Sequence, residues 1–285
     1  MKYKVVFIQR MGPMTASYRM RSEAPAKYLG GSVNGGEGEI IVFTKPLPQD
    51  VEEAKACKKD GVKIAVDIID DHFRTVMVRD AYIEMVKMAD LVITPTANMS
   101  DRLVKYGLRP ADVIIPEAYD EPHSEPHADG DKYLWFGSQG NLKDIRPWIK
   151  GGQLNGYNLT IVTGPNENLG HPWTQWSPDV QTRALQESNI VLLPSRPGVE
   201  YKSANRLVNA LRAGCFPVCG ALPSYKEFRR VAWVGKFETG LQWAKAMRNE
   251  LNDRVKEGQQ YIEKFSPEAV GKLWEQALEA LGDTY

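Results

Sequence analysis

Short runs of apolar, mostly β-branched residues alternate along the chain with longer stretches whose apolar positions recur at three- and four-residue spacing. In the first part the runs fall at 5–8, 40–43, 62–66, 91–93 and 113–115, with helical patterns at 18–29, 51–59, 76–88 and 97–106. A second series follows, with strands expected at 133–136, 159–162, 190–193, 216–219 and 231–234 and helices at 142–149, 179–186 and 203–213. From Gly240 the pattern is helical, interrupted at Ser266-Pro267. Alternation of this kind builds βαβ units on a mostly parallel sheet. Between the two series, Y-D-E-P-H-S-E-P-H-A-D-G-D-K has two prolines and almost no apolar residues, the mark of a linker. The expected fold is α/β, with two Rossmann-like domains whose strand ends face a central cleft. Their bounds are 1–118 and 132–265, with the linker at 119–131 and a helical segment at 266–285.

Composition narrows the function classes. The 285 residues suffice for two ordinary domains, and 42% hydrophobic with 25% charged is ordinary globular composition. Lys plus Arg equals Asp plus Glu at 36 each, so no global charge argues for nucleic acid or an anionic membrane, while local basic patches stay open. Cys57, Cys215 and Cys219 are too few and scattered for a disulfide framework, which points to a reducing compartment, the cytoplasm. The start M-K-Y-K-V-V-F-I-Q-R has four apolar residues in a row before Gln9; it reads as a first strand, with no signal peptide and no integral membrane segment.

The chemistry concentrates downstream of the strand at 190–193. There K-S-A-N-R-L-V-N-A-L-R-A-G reads as a helix capped by Ser203, buried along Leu207, Ala210 and Leu211, and ended by Gly214. Lys202, Asn205, Arg206 and Asn209 fall on or near the face and end left for a ligand, in the place where α/β proteins hold nucleotide diphosphates. In the second domain's first turn, F-G-S-Q-G-N, Gly137, Ser138, Gly140 and Asn141 open a helix and offer backbone N–H groups to a phosphate.

The stretch 191–228 resembles the donor-site segment of retaining GT-B glycosyltransferases, those similar to glycosyltransferase family 4. The pattern is carried in order by Pro194, Ser195, Glu200, Lys202, Asn205, Arg206, Ala210, Leu211, Gly214, Pro217 and Val218. The resemblance implies a nucleoside diphosphate sugar as co-substrate, UDP-sugar first, with no metal and no further cofactor, and retention of anomeric configuration. It implies donor contacts by Glu200, Lys202, Asn205 and Arg206, and a base-lining segment H-P-W-T-Q-W with Trp173 or Trp176 on the nucleobase. It also implies that the last helix crosses back onto the first domain. One position departs from it: the glutamate that binds the donor ribose is Asn209 here, which can still contact a hydroxyl but without charge.

In the first domain, V-D-I-I-D-D-H-F places Asp67, Asp70, Asp71 and His72 at a strand's carboxyl end. Similar segments occur in the same glycosyltransferases, and Asp70, Asp71 and His72 are the expected catalytic group, the choice among them left open. The bland alternative is that Asp67 caps a helix and His72 packs in the core. A receiver-type acidic pocket does not suit a chain of this length. The metal-binding D-x-D of GT-A transferases does not suit these spacings, and Asp129-Gly130-Asp131 precedes a strand instead of following one. After the first strand, the loop at Gly12, with Arg19 and Arg21 on a helix expected to be capped by Ser17, faces either the sugar and acceptor or only solvent. Glu117 and Tyr119 line the expected hinge. The acceptor is a glycan hydroxyl or, as with phage enzymes of this type, a hydroxymethylated DNA base. A nucleotide-sugar epimerase or a non-catalytic nucleotide-sugar binder is the alternative that Asn209 keeps open.

Overall fold

The structure is a computed structural model that describes residues 1–165 and 169–283. It divides into two compact units: Met1–Asp120 with Tyr201–Ser203 and Lys264–Tyr285, and Glu121–Glu200 with Ala204–Glu263.

The first unit holds β1 (Val5–Ile8), β2 (Ser32–Val33), β3 (Ile40–Thr44), β4 (Lys63–Asp67), β5 (Leu91–Thr94) and β6 (Val113–Ile114). All pair in parallel, in the order β2-β1-β3-β4-β5-β6. The central strands are apolar on both faces, as strands covered by helices on two sides must be. One face packs Phe43, Tyr82, Met85 and Met99, the other Phe7, Leu29, Trp274 and Leu278. The terminal helix Pro267–Gly282 belongs to this second face: Ser266 Oγ accepts from Ala269 N at 3.2 Å, and Trp274 meets Phe7 edge-on at 5.4 Å. A side chain at Gly271 would collide with the Tyr28 ring, so glycine sets how near this helix lies to Ala24–Leu29. The run 201–203 docks on the same unit, with Thr96 Oγ1 donating to Tyr201 O at 2.9 Å and Ser203 Oγ donating to Glu117 Oε2.

The second unit holds β7 (Lys132–Phe136), β8 (Asn158–Thr163), β9 (Trp173–Gln175), β10 (Ile190–Leu193), β11 (Phe216–Cys219) and β12 (Trp233–Val234), again all parallel, in the order β12-β11-β10-β7-β8-β9. In each sheet the chain runs outward one way and then restarts on the other side. The reversal falls between β1 and β3 in the first and between β7 and β10 in the second. Loops at the carboxyl ends of the strands flanking such a reversal are where open α/β sheets take ligands.

Three local expectations change. Ser203 is spent on Glu117, and the helix Asn205–Arg212 starts after Ala204 with no side-chain cap. The cap expected at Ser17 is made by Thr15, whose Oγ1 accepts from Tyr18 N at 3.3 Å. The polar stretch read as a linker is fastened to the second unit: Ser124 N donates to Arg212 O at 3.1 Å, His127 N to Gly214 O at 3.0 Å, and Ala128 N to Asn252 Oδ1 at 2.6 Å. Low apolar content misleads there because the segment is held by backbone hydrogen bonds to a helix end rather than by apolar burial.

Candidate functional site

In the second unit, β7 ends in the turn Gln139–Asn141 that opens the helix Leu142–Lys150. Gly137 N is tied to Val162 O at 3.1 Å and Asn141 N to Ser138 O at 2.8 Å, which leaves Ser138 and Gly140 exposed at the turn. Arg206, in the first turn of Asn205–Arg212, reaches back to this turn and donates from Nη1 to Phe136 O at 3.3 Å. A Cβ on Gly137 would stand 3.3 Å from that Nη1, so the glycine makes room for the guanidinium.

Beneath the turn lies a residue the sequence reading missed. Asp144 has a side chain only 2% exposed, with Arg196 Nε 2.9 Å from Oδ1 and Arg206 Nη2 4.0 Å from Oδ2. One buried carboxylate therefore lies within ion-pair distance of two guanidiniums, one from the loop after β10 and one from the helix that follows, and the balance at the strand reversal is positive. In sequence, Asp144 sits in L-K-D-I-R, which reads as a solvated helix face; only its burial reveals the role. Arg196 was missed as well, and the signal that could have found it is the basic residue in P-S-R-P-G at the end of β10.

The other donor-side candidates divide. Glu200 Oε1 accepts from Gly198 N at 2.8 Å, closing its own loop, and Asn205 begins the helix. Asn209 is 2% exposed, and its Oδ1 accepts from Glu121 N at 3.4 Å. The helix buries five consecutive residues, Leu207 to Leu211, which is more than one full turn, so it is covered on every side there. Trp176 is held by its indole edge, Nε1 donating to Gln181 Oε1 at 2.7 Å, while Gln181 and Thr182 both donate to the buried Glu121 carboxylate at 2.6 and 2.7 Å. Trp173, half-buried, opens β9. Lys202 belongs to the first unit, and its charge bears on Asp70.

In the first unit, Asp67 ends β4 fully buried, where Arg21 Nε and Nη2 grip Oδ2 and Oδ1 at 2.9 and 2.6 Å. Burial raises the Asp67 carboxyl, and the Arg21 charge and hydrogen bonds oppose it. Arg21 also donates to Ile115 O and Pro116 O and lies 4.9 Å over the Trp274 ring, so it is a core residue and takes no part on the sugar side. The cause is a π-helical turn at Arg19–Glu23, whose extra residue per turn carries Arg21 inward from a pattern that reads as exposed. Arg19 donates to Asp120 Oδ2 at 2.9 Å, and Gly12 O accepts from Thr15 N at 3.0 Å in an open loop.

The expected catalytic trio separates as well. The Asp71 side chain is 2% exposed, and Arg102 Nε donates to its Oδ2 at 2.7 Å, tying the loop to the helix Ala97–Lys105, while the buried Oδ1 has no hydrogen-bond partner among the described residues. Asp70 faces Lys45 Nζ at 2.5 Å and His72 Nε2 at 4.0 Å. Burial works to raise the Asp70 carboxyl, yet the charges of Lys45, His72 and Lys202 and the Lys45 hydrogen bond hold it below the ordinary carboxylate value. His72 is 40% exposed at the side chain, edge-on to Tyr82 at 5.7 Å, and its imidazole is lowered by burial, with Lys45 adding to the effect and Asp70 and Asp71 opposing it. The loop thus presents a carboxylate and an imidazole together. Glu117 is raised by burial and held by Ser203. Among the described residues no three His, Cys, Asp or Glu side chains form a group that could hold a metal ion.

No protein-family profile matches the sequence, and no curated protein matches it. Solved structures do. Anabaena HepE in complex with UDP-glucose superposes with a TM-score of 0.76 at 11% identity over 98% of this chain and 100% of that one. The fold is GT-B. A second GT-B structure, an alpha-glucosyltransferase in complex with UDP-glucose and DNA containing an abasic site, gives 0.67 at 10% identity over 98% and 99%. The E. coli trehalose-6-phosphate structure bound with UDP-2-fluoro glucose gives 0.59 at 12% over 86% and 73%. At such identities the likeness establishes the GT-B fold and nothing finer.

Proposed function

We propose that the chain is a glycosyltransferase that moves a sugar from a nucleoside diphosphate sugar, a UDP-sugar first, to an acceptor hydroxyl. The observation that carries this reading is the pair of guanidiniums, Arg196 and Arg206, gathered within ion-pair distance of buried Asp144 beside the Gly137 turn at a strand reversal. Transfer needs negative charge stabilised on a departing diphosphate. The two arginines and the N-terminus of Leu142–Lys150, which has no side-chain cap, supply positive charge and donors at that place. The chain's own cations take the part a metal takes in other transferases, so the reaction is expected to survive chelation. Trp176, fixed by Gln181, gives a flat apolar surface for the base. In the first unit, Asp70 and His72 are the groups offered to the acceptor hydroxyl, to take its proton or to hold it.

A glycan is the first acceptor reading. Hydroxymethylated DNA is the second, favoured by the end-to-end match to the glucosyltransferase in complex with DNA. Three free thiols suit a reducing, cytoplasmic setting, and among the described residues no helix is long and apolar enough to cross a membrane. The test is transfer from radiolabelled UDP-glucose and GDP-mannose, with and without EDTA, to glycan acceptors and to a hydroxymethylated duplex. Label in either acceptor supports the reading and names the acceptor class. No transfer and no donor hydrolysis, together with measurable UDP binding, would leave a non-catalytic nucleotide-sugar binder.

A further inference from the structure

Lys45 takes φ +52° immediately before Pro46, at the carboxyl end of β3. A residue with a side chain is strained in that left-handed conformation, and sterics press a residue before proline toward extended backbone instead. Strain that the surroundings hold in place tends to mark a working part. Here Lys45 N donates to Asp67 O at 3.1 Å, and the bend delivers Nζ to within 2.5 Å of Asp70 Oδ2, with the lysine side chain only 14% exposed. β3 borders the strand reversal of the first sheet, so the bend lies where a ligand is expected. The same oxygen, Oδ2, is the Asp70 atom nearest His72 Nε2. Ammonium, carboxylate and imidazole therefore form a chain, and the buried Tyr82 ring seats the imidazole from below.

We propose that Lys45 is a positioning residue for the acceptor side: its ammonium, aimed by a strained backbone, fixes the Asp70 carboxylate and through it orients His72 toward the acceptor hydroxyl. The acceptor part rests on the transferase reading; the coupling of Lys45, Asp70 and His72 does not. The charged and titratable groups facing Asp70 are Lys45, His72, Lys202, Glu117 and Tyr82, and those facing His72 are Asp70, Asp71, Lys45 and Tyr82. Among the cations, Lys45 is the largest influence on Asp70. Its loss leaves the carboxylate free to turn and removes a like charge from beside the imidazole.

The experiment follows the imidazole signal of His72 by NMR against pH in the full chain, assigned with His72→Gln, for wild type, Lys45→Met, Lys45→Arg and Asp70→Asn. The midpoint rises in Lys45→Met, falls in Asp70→Asn and stays near wild type in Lys45→Arg. Transfer kcat falls about tenfold in Lys45→Met with donor KM unchanged, and Lys45→Arg recovers most of it. A midpoint that moves in neither Lys45→Met nor Asp70→Asn overturns the coupling. A midpoint that moves with kcat unchanged overturns the acceptor role alone. If wild type transfers nothing, the transferase reading fails while the midpoints still decide the coupling. If Lys45→Met does not fold, Lys45→Arg and Asp70→Asn decide it: a fall with Asp70→Asn beside a wild-type midpoint in Lys45→Arg supports the coupling, and a failure of either overturns it.

Discussion

Replacing Arg21 with Ala separates a core role from a ligand role. The side chain is fully buried and makes two charged hydrogen bonds to Asp67, at 2.9 and 2.6 Å, and two to the carbonyls of Ile115 and Pro116. Simple addition of charged hydrogen bonds overshoots, because the folded pair had already surrendered its hydration. The better measure is the cost of leaving one buried partner uncompensated, about 3–5 kcal/mol. At roughly 2–4 °C per kcal/mol for a chain of this size class, the melting temperature of the unit containing Arg21 falls by about 6–20 °C. Asp67 takes up a proton in the variant, so the loss shrinks on acidification, and the double replacement Arg21→Met with Asp67→Leu recovers much of it. Calorimetry and near-UV circular dichroism across pH read both effects, with UDP affinity measured below the transition. A melting temperature within 2 °C of wild type together with lost transfer would refute the core assignment and return Arg21 to the sugar side.

Asp144→Asn loosens both guanidiniums without opening a cavity and is expected to weaken UDP binding about tenfold, about 1.4 kcal/mol; unchanged affinity by titration calorimetry would mean the arginines are aimed by something else. His72 is depressed in the folded chain, so its contribution to stability is present above the unfolded value of about 6.5 and is lost as pH falls through the lower folded value. His72→Gln therefore flattens the melting temperature between pH 7 and pH 5, and a slope as steep as wild type would contradict this. Lys45→Gly and Lys45→Ala both remove the Asp70 ion pair, but only glycine relieves the left-handed backbone, so the glycine variant is expected to be more stable by about 1 kcal/mol in urea unfolding.

The fold was legible because its strongest signals are local. β1, β10 and β11 match the apolar runs V-V-F-I, I-V-L-L and F-P-V-C, since Lys4 and Gln9 bound the first, Asn189 and Pro194 the second, and Gly214-Cys215 and Gly220 the third. β2 and β9 escaped because two or three partly exposed residues carry no alternation. The strand reversals could not be read, because order within a sheet is set by pairing between distant segments. At the site, Arg206 and the Gly137 turn were legible as a basic residue and a glycine turn at the ends of strands. Asp144 was not, because an acidic residue in a helical pattern looks solvated until its burial is known. Arg21 and Asp71 were misread for a related reason: charged residues near a strand end suggest a ligand, whereas these two neutralise their partners inside the first unit.

The central claim is that Arg206 and Arg196 hold the diphosphate of a nucleotide sugar. Its most direct measurement is titration calorimetry of UDP and UMP against wild type, Arg196→Ala and Arg206→Ala. Wild type is expected to bind UDP more tightly than UMP, and each alanine to lose roughly 1.5–3 kcal/mol of UDP affinity and narrow that preference, with affinity read below each variant's melting transition. UDP affinity unchanged in both variants, or equal for UDP and UMP in wild type, would contradict it.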